Sequence, residues 1–207
     1  MAQDRNGAMP TSSSGPSGPS APGAPFQPWP ARVRRLGFPS EASGGLAGVL
    51  RVLPLIKEGL DLRSFMQVLQ DANPEHAQYG SAPSALLRQD LDVCTQNNAG
   101  LFALTPRGQA LLDTSDPDVL ADHLLTTMYG PDHLLKALEQ RPMHLHEVVE
   151  FLSRLNPGDE VRNRRLLKWL HDLGVIELGD EKIYELTERG KRWAALITWT
   201  PETKEAL

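Results

Sequence analysis

The chain has 207 residues, 40% hydrophobic and 23% charged, which is enough to bury a core in one or two small domains. Its formal charge of −5 offers no overall attraction to nucleic acid, so any such contact has to come from a local cluster of Arg and Lys. No run of about 18 apolar residues is present and the N-terminus lacks the basic-then-apolar order of a signal peptide, so a cytoplasmic protein without a membrane span is expected.

Residues 1–43 are rich in Pro, Gly, Ser and Ala, as in "TSSSGPSGPSAPGAPFQPWP", and have too few spaced apolar residues to offset the entropy of ordering. A disordered N-terminal tail is expected there. Its far end sets Phe26, Trp29 and Phe38 around Arg32, Arg34 and Arg35, which suits a docking motif, an arm lying on DNA, or apolar groups packed on the first folded unit. From Gly44 the pattern turns helical. Leu46, Val49, Leu50 and Leu53 recur at three-and-four spacing, and Pro54 is expected to kink or end that helix. Leu62, Phe65, Met66 and Leu69 form a second stripe that stops before Pro74. Leu87, Leu91 and Cys94 form a third, which makes Cys94 a core thiol; one cysteine cannot by itself build a disulfide framework or a zinc site. The turn-forming "QNNAG" then leads to a β-like "LFALT" and to "PRGQALL".

A linker helix follows in "TSDPDVLADHLLTTMYG", with Ser115 as N-cap, Pro117 in the first turn and Gly130 after the end. The order then recurs. Leu134, Leu135 and Leu138 mark one helix, Leu145, Val148, Val149 and Leu152 the next, and "NRRLLKWLHDLGVIEL" carries another. "GDEKIYELT" reads as a turn with a strand, and "ERGKRWAALI" closes the chain's periodic part.

The phrase "FALTPRG" at Phe102–Gly108 returns as "YELTERG" at Tyr184–Gly190. Upstream, Leu62 matches Leu145, Phe65 matches Val148, Leu69 matches Leu152, and Asn73-Pro74 matches Asn156-Pro157. Whole units therefore repeat. The expected organisation is a tail at 1–43, unit 1 at 44–114, a linker helix at 115–130, unit 2 at 131–200 and a C-terminal tail at 201–207. In each closing phrase the leucine, Leu104 or Leu186, faces the core with its aromatic neighbour. The threonine, Thr105 or Thr187, caps the next helix, and Gly108 or Gly190 allows that helix a close approach.

Three helices, then strands ending in aromatic-x-Leu-Thr-x-x-Gly, resemble the winged helix-turn-helix superfamily, with a closing phrase similar to the wing of MarR-like and PadR-like regulators. The resemblance covers about residues 44–200. It implies a mainly α fold with short β-wings, as two tandem winged helix-turn-helix units, and a last helix in each that can enter a DNA groove. In unit 2, Arg162, Asn163, Arg164, Arg165 and Lys168 fall within seven positions, and helical geometry sets Arg164, Arg165 and Lys168 opposite a stripe centred on Leu170. Lys182, Arg189, Lys191 and Arg192 add cations at the wing. Unit 1 carries Ala82, Pro83 and Leu86 opposite Arg164, Arg165 and Lys168, so only unit 2 is expected to meet duplex DNA. Unit 1 and the linker helix are expected to hold a protein partner or a second protomer.

No nucleophile elbow, phosphate loop or paired-carboxylate motif is found. His144 and His146 in "HLHE" are expected on different sides of a helix, without a third ligand for a metal. The expectation is a non-enzymatic DNA-binding protein, regulatory or accessory to a DNA-processing system, without cofactor or metal. The alternative is an adaptor whose tandem winged helices clamp a partner segment, as in chromosome-organising complexes.

Overall fold

The computed structural model describes residues 44–72, 74, 82–128, 130–155 and 160–197, so both expected tails, and Asn73 and Asn156-Pro157 of the repeat, lie outside the described residues. The first half contains α1 (Gly45–Ile56), α2 (Leu62–Ala72), and α3 (Ala82–Ala85), which runs on as a π-helical turn over Leu86–Asp90. The hairpin β1 (Cys94–Gln96) and β2 (Phe102–Leu104) comes next, then α4 (Pro106–Thr114) and α5 (Asp118–Thr127). The second half contains α6 (Pro131–Gln140), β3 (Met143–His144), α7 (Leu145–Leu155), α8 (Glu160–Asp172) and β4 (Ile176–Leu178). A 3-10 turn (Asp180–Lys182), β5 (Ile183–Leu186) and α9 (Glu188–Leu196) complete it. The protein is mainly helical with short strands in two small sheets, as the periodicities predict.

Both sheets are antiparallel. Cys94 stands opposite Leu104 in the first, while the second has the order β3-β5-β4 with Ile176 opposite Leu186 and Leu178 opposite Tyr184. The strands Cys94–Gln96, Met143–His144 and Ile176–Leu178 correct the sequence reading, which gave the first and last of these to helices. The cause is local: Asp92 and Gly174 both adopt left-handed backbone, with φ of 52° and 65°, and so terminate the helices before them. Cys94 is nevertheless buried, as expected, and burial pushes its thiol up to about 11.

The two closing phrases are built with the same bonds. Thr105 Oγ1 accepts from the Gly108 N–H at 3.0 Å and donates to the Asp92 carbonyl at 2.6 Å. Thr187 Oγ1 accepts from the Gly190 N–H at 3.0 Å and donates to the Gly174 carbonyl at 2.6 Å. A Cβ on Gly108 would stand 1.9 Å from the Val93 oxygen, and one on Gly190 2.0 Å from the Val175 oxygen. Each helix thus lies directly on the backbone that precedes its hairpin, a contact only glycine permits.

Three further expectations change. Ser115 closes α4 in left-handed backbone instead of capping α5; the side chain of Asp116 accepts the Asp118 N–H at 3.0 Å. Pro54 sits inside α1, whose helix continues to Ile56. Leu62 is exposed, although Phe65 beside it is buried and stacks on Phe102 with ring centroids 4.3 Å apart.

The halves share contacts. α1 packs on α4 and on α8, and the Asp172 carboxylate stands where a Cβ on Gly45 would be. At the other side the N-terminus of α5 meets α9: Trp193 Nε1 donates to Asp118 Oδ1 at 2.9 Å. No helix among the described residues is long and apolar enough to cross a membrane.

Candidate functional site

The second half opens a cleft of about 610 Å³, lined by residues from β3, α7, α8 and the 3-10 turn. That volume is in the range of small-molecule and peptide sites. Its geometry begins at the corner between β3 and α7. The Glu147 carboxylate accepts the His144 N–H at 2.8 Å, the return half of a capping box, and takes Arg141 Nη2 at 2.7 Å through its other oxygen. These two donors hold the Glu147 carboxyl down at about 2, the guanidinium being the larger cause.

With that corner fixed, His144 ends the strand and His146 opens the helix, so their rings stack 5.6 Å apart, 24° from parallel. Both line the cleft. This corrects the expectation that they diverge. That expectation assumed one helix through both residues, whereas the strand ends only at His144. Glu150 lies one helical turn beyond His146 and Ser153 one turn further, so the three share a face of α7. From α8 comes Arg164, and from the turn come Glu181 and Lys182, both with positive φ, 58° and 61°. Two consecutive non-glycine residues in that region store strain at the lip of the cleft.

The predicted binding residues divide into those the cleft gathers and those it does not. Arg164 lines the cleft and is exposed, as is Lys182. Lys168 is exposed on an adjoining groove, and Arg165 is half-buried. The side chain of Arg162 lies outside the described residues. Asn163 is a correction: it is fully buried and its amide donates to Ser153 Oγ at 3.3 Å, so it positions a cleft residue from below and presents nothing outward.

Three of the four cations expected at a wing, Arg189, Lys191 and Arg192, are a second correction. Arg189 stands 3.5 Å from Asp116 and 3.4 Å from Asp118, Arg192 stands 3.8 Å from Asp118, and Lys191 bonds Glu188 at 2.6 Å. Acids of the α5 N-terminus and of α9 itself therefore neutralise the charge that the sequence appeared to offer to a polyanion.

Sequence reasoning passed over Glu150 and Ser153, and it set His144 and His146 on different sides of one helix. Their signal was present in the spacing of 146, 150 and 153 along one helix face, but it required knowing where the helix begins. Among the described residues no group of three or more His, Cys, Asp or Glu could hold a metal ion. The arrangement offers two imidazoles, the Glu150 carboxylate one turn behind and that of Glu181 at the lip, a hydroxyl and two cations, a set suited to moving a proton beside a developing negative charge.

No family model matches the chain, and no solved structure matches it. Among curated proteins it is similar to the Pup deamidase/depupylase of Mycolicibacterium smegmatis, 30% identical over 122 residues, covering 57% of this chain and 23% of that protein. The chain thus matches about a quarter of the length of that relative. The likeness overturns two expectations drawn from the sequence, a function confined to DNA binding or protein clamping and the absence of catalysis, because the relative is an enzyme. The 162–168 segment offers less than its sequence promised: Asn163 within it is core, and Arg189, Lys191 and Arg192, which were to extend it, are paired within the chain.

Proposed function

We propose that this chain acts in the hydrolysis of amide bonds, with the amide held in the cleft between α7, α8 and the 3-10 turn. The observation that carries the reading is the likeness to a Pup deamidase/depupylase, an enzyme whose named activities act on Pup. The cleft supports it by bringing His146, Glu150, Ser153, Arg164 and Lys182 to one surface. Each half is read as a winged helix-turn-helix unit. Support for that finer fold comes from the matching bonds at Thr105 and Thr187 and from the hairpins that precede them.

In this reading the His146 imidazole, with Glu150 one turn away on the same face, takes a proton from water as its oxygen adds to the amide carbon. Arg164 and Lys182 balance the charge that develops on the amide oxygen. The C–N bond then breaks and the imidazolium returns its proton to the departing nitrogen. A carboxylate and ammonia result from a primary carboxamide, and a carboxylate and an amine from an isopeptide link. Ser153, positioned by Asn163, orients the substrate by hydrogen bonding.

The test is ammonia release by the full chain from Pup and from a glutamine peptide, beside His146→Ala and Glu150→Gln. Removing either group is expected to lower the rate by about 100-fold or more. Rates that survive both changes, or a wild-type chain without activity on either substrate, would refute the assignment.

A further inference from the structure

We infer that the groove next to the cleft binds an acidic peptide segment carrying an aliphatic or aromatic side chain. The groove, about 340 Å³, is lined by Leu145, Leu167, Leu178 and Tyr184, with Arg164, Lys168 and His171 at its rim. Two features of the chain build it. Leu178 and Tyr184 are cross-strand partners in β4 and β5, so their side chains stand together on one face of the sheet, while the next pair along, Glu177 and Glu185, points to the other face. Arg164, Lys168 and His171 recur at four and three residues along α8 and so form one stripe facing that apolar wall.

The sign of the charge is the informative part. The chain carries −5 overall, yet no carboxylate lines this groove, and no carboxylate among the described residues pairs with Arg164 or Lys168. Asp172 stands 4.0 Å from the His171 ring, and Glu150 and Glu181 lie in the adjoining cleft that shares Arg164. Leu178 is 47% exposed, an apolar surface left in water beside two cations that no carboxylate among the described residues pairs. A phosphodiester backbone would satisfy the rim but leave the wall of Leu145, Leu178 and Tyr184 uncovered. A peptide fills both, because carboxylates about 6 Å apart meet Arg164 and Lys168, and one apolar side chain between them covers the wall.

Leu145 and Arg164 line both groove and cleft, so a segment in the groove leads into the cleft. The inference deepens the proposed activity by naming its substrate class, an amide flanked by acidic and apolar residues, and rests on that reading for catalysis only. Binding is measured independently of it.

The experiment is fluorescence anisotropy of the full chain with a labelled peptide of alternating Glu and Leu, beside peptides with Gln for Glu and with Ser for Leu. Lys168→Glu and Leu178→Ser, both at exposed positions, are the variants. The Glu–Leu peptide is expected to bind, to weaken about tenfold with Lys168→Glu, and to weaken in both substituted peptides. Lys168→Glu should also raise KM for an acidic glutamine peptide while leaving turnover of a short neutral carboxamide unchanged. Equal binding of the Glu–Ser peptide, displacement by duplex DNA at matched charge, or indifference to Lys168→Glu would each overturn the groove's role. Peptide binding that behaves as expected in a chain without hydrolytic activity would instead remove the proposed reaction and leave the groove standing.

Discussion

Gly190 shows how a single position decides local architecture. Its N–H is held by Thr187 at 3.0 Å, and a methyl group added there would fall 2.0 Å from the Val175 carbonyl oxygen, a backbone atom that cannot swing aside. Gly190→Ala is therefore expected to lower unfolding free energy by about 2–3 kcal/mol, measured by urea denaturation. Gly174→Ala is the control: its φ of 65° strains any side chain, but nothing lies within 4 Å, so a loss of about 1 kcal/mol is expected. A loss at Gly190 no larger than at Gly174 would contradict the close-approach account. The cap at Thr187 was legible because it depends on a neighbour three residues on, and the close approach at Gly190 because the same Thr-x-x-Gly spacing occurs in both closing phrases. The inward position of Asn163 was legible by geometry, since seven residues before Leu170 is about 20° from the centre of the buried stripe, but a polar side chain was read as facing outward; its partner Ser153 on another helix is what the sequence did not give.

At the scale of elements, helices announced themselves by period while strands of two or three residues did not. Met143–His144 is too short to show alternation, yet its pairing with β5 is what turns His144 toward His146. The start of α7 consequently rests on Glu147, which ties that strand to the helix. Its carboxyl sits at about 2 in the folded protein against an ordinary 4.5, so its stabilising effect is complete above about pH 4.5 and is lost as pH falls through 2. In Glu147→Gln that effect is absent throughout. The stability gap between wild type and variant, read from denaturant midpoints, is expected to be widest at neutral pH and to close between pH 4.5 and 2. A gap independent of pH would mean that Glu147 acts by packing alone. The clamp between α5 and α9 was equally hidden, since Asp118 and Trp193 meet from 75 positions apart and nothing local in either segment points to the other.

Across the whole molecule the two halves share a plan and differ in chemistry. Positions that match His146, Glu150, Ser153, Arg164 and Lys182 in the first half are Arg63, Gln67, Gln70, Ala82 and Gly100, so neither imidazole nor acid recurs there. The first half instead supplies support: α1 packs on α8, and the acids at the N-terminus of α5, Asp116 and Asp118, hold Arg189 and Arg192 of α9. The repeat, its order and its closing phrase were readable because they are patterns of residue type along the chain. The cleft was not, because it gathers residues from four elements whose convergence only the fold provides. The proposed reaction requires this cleft to direct water onto an amide carbon. The most direct measurement is mass spectrometry of the product formed from a carboxamide peptide in oxygen-18-enriched water, by the wild-type chain and by His146→Ala. One heavy oxygen in the new carboxylate is expected with the wild-type chain, and unchanged carboxamide with the variant. Peptide recovered unaltered from the wild-type chain, or equal incorporation by both, would contradict it.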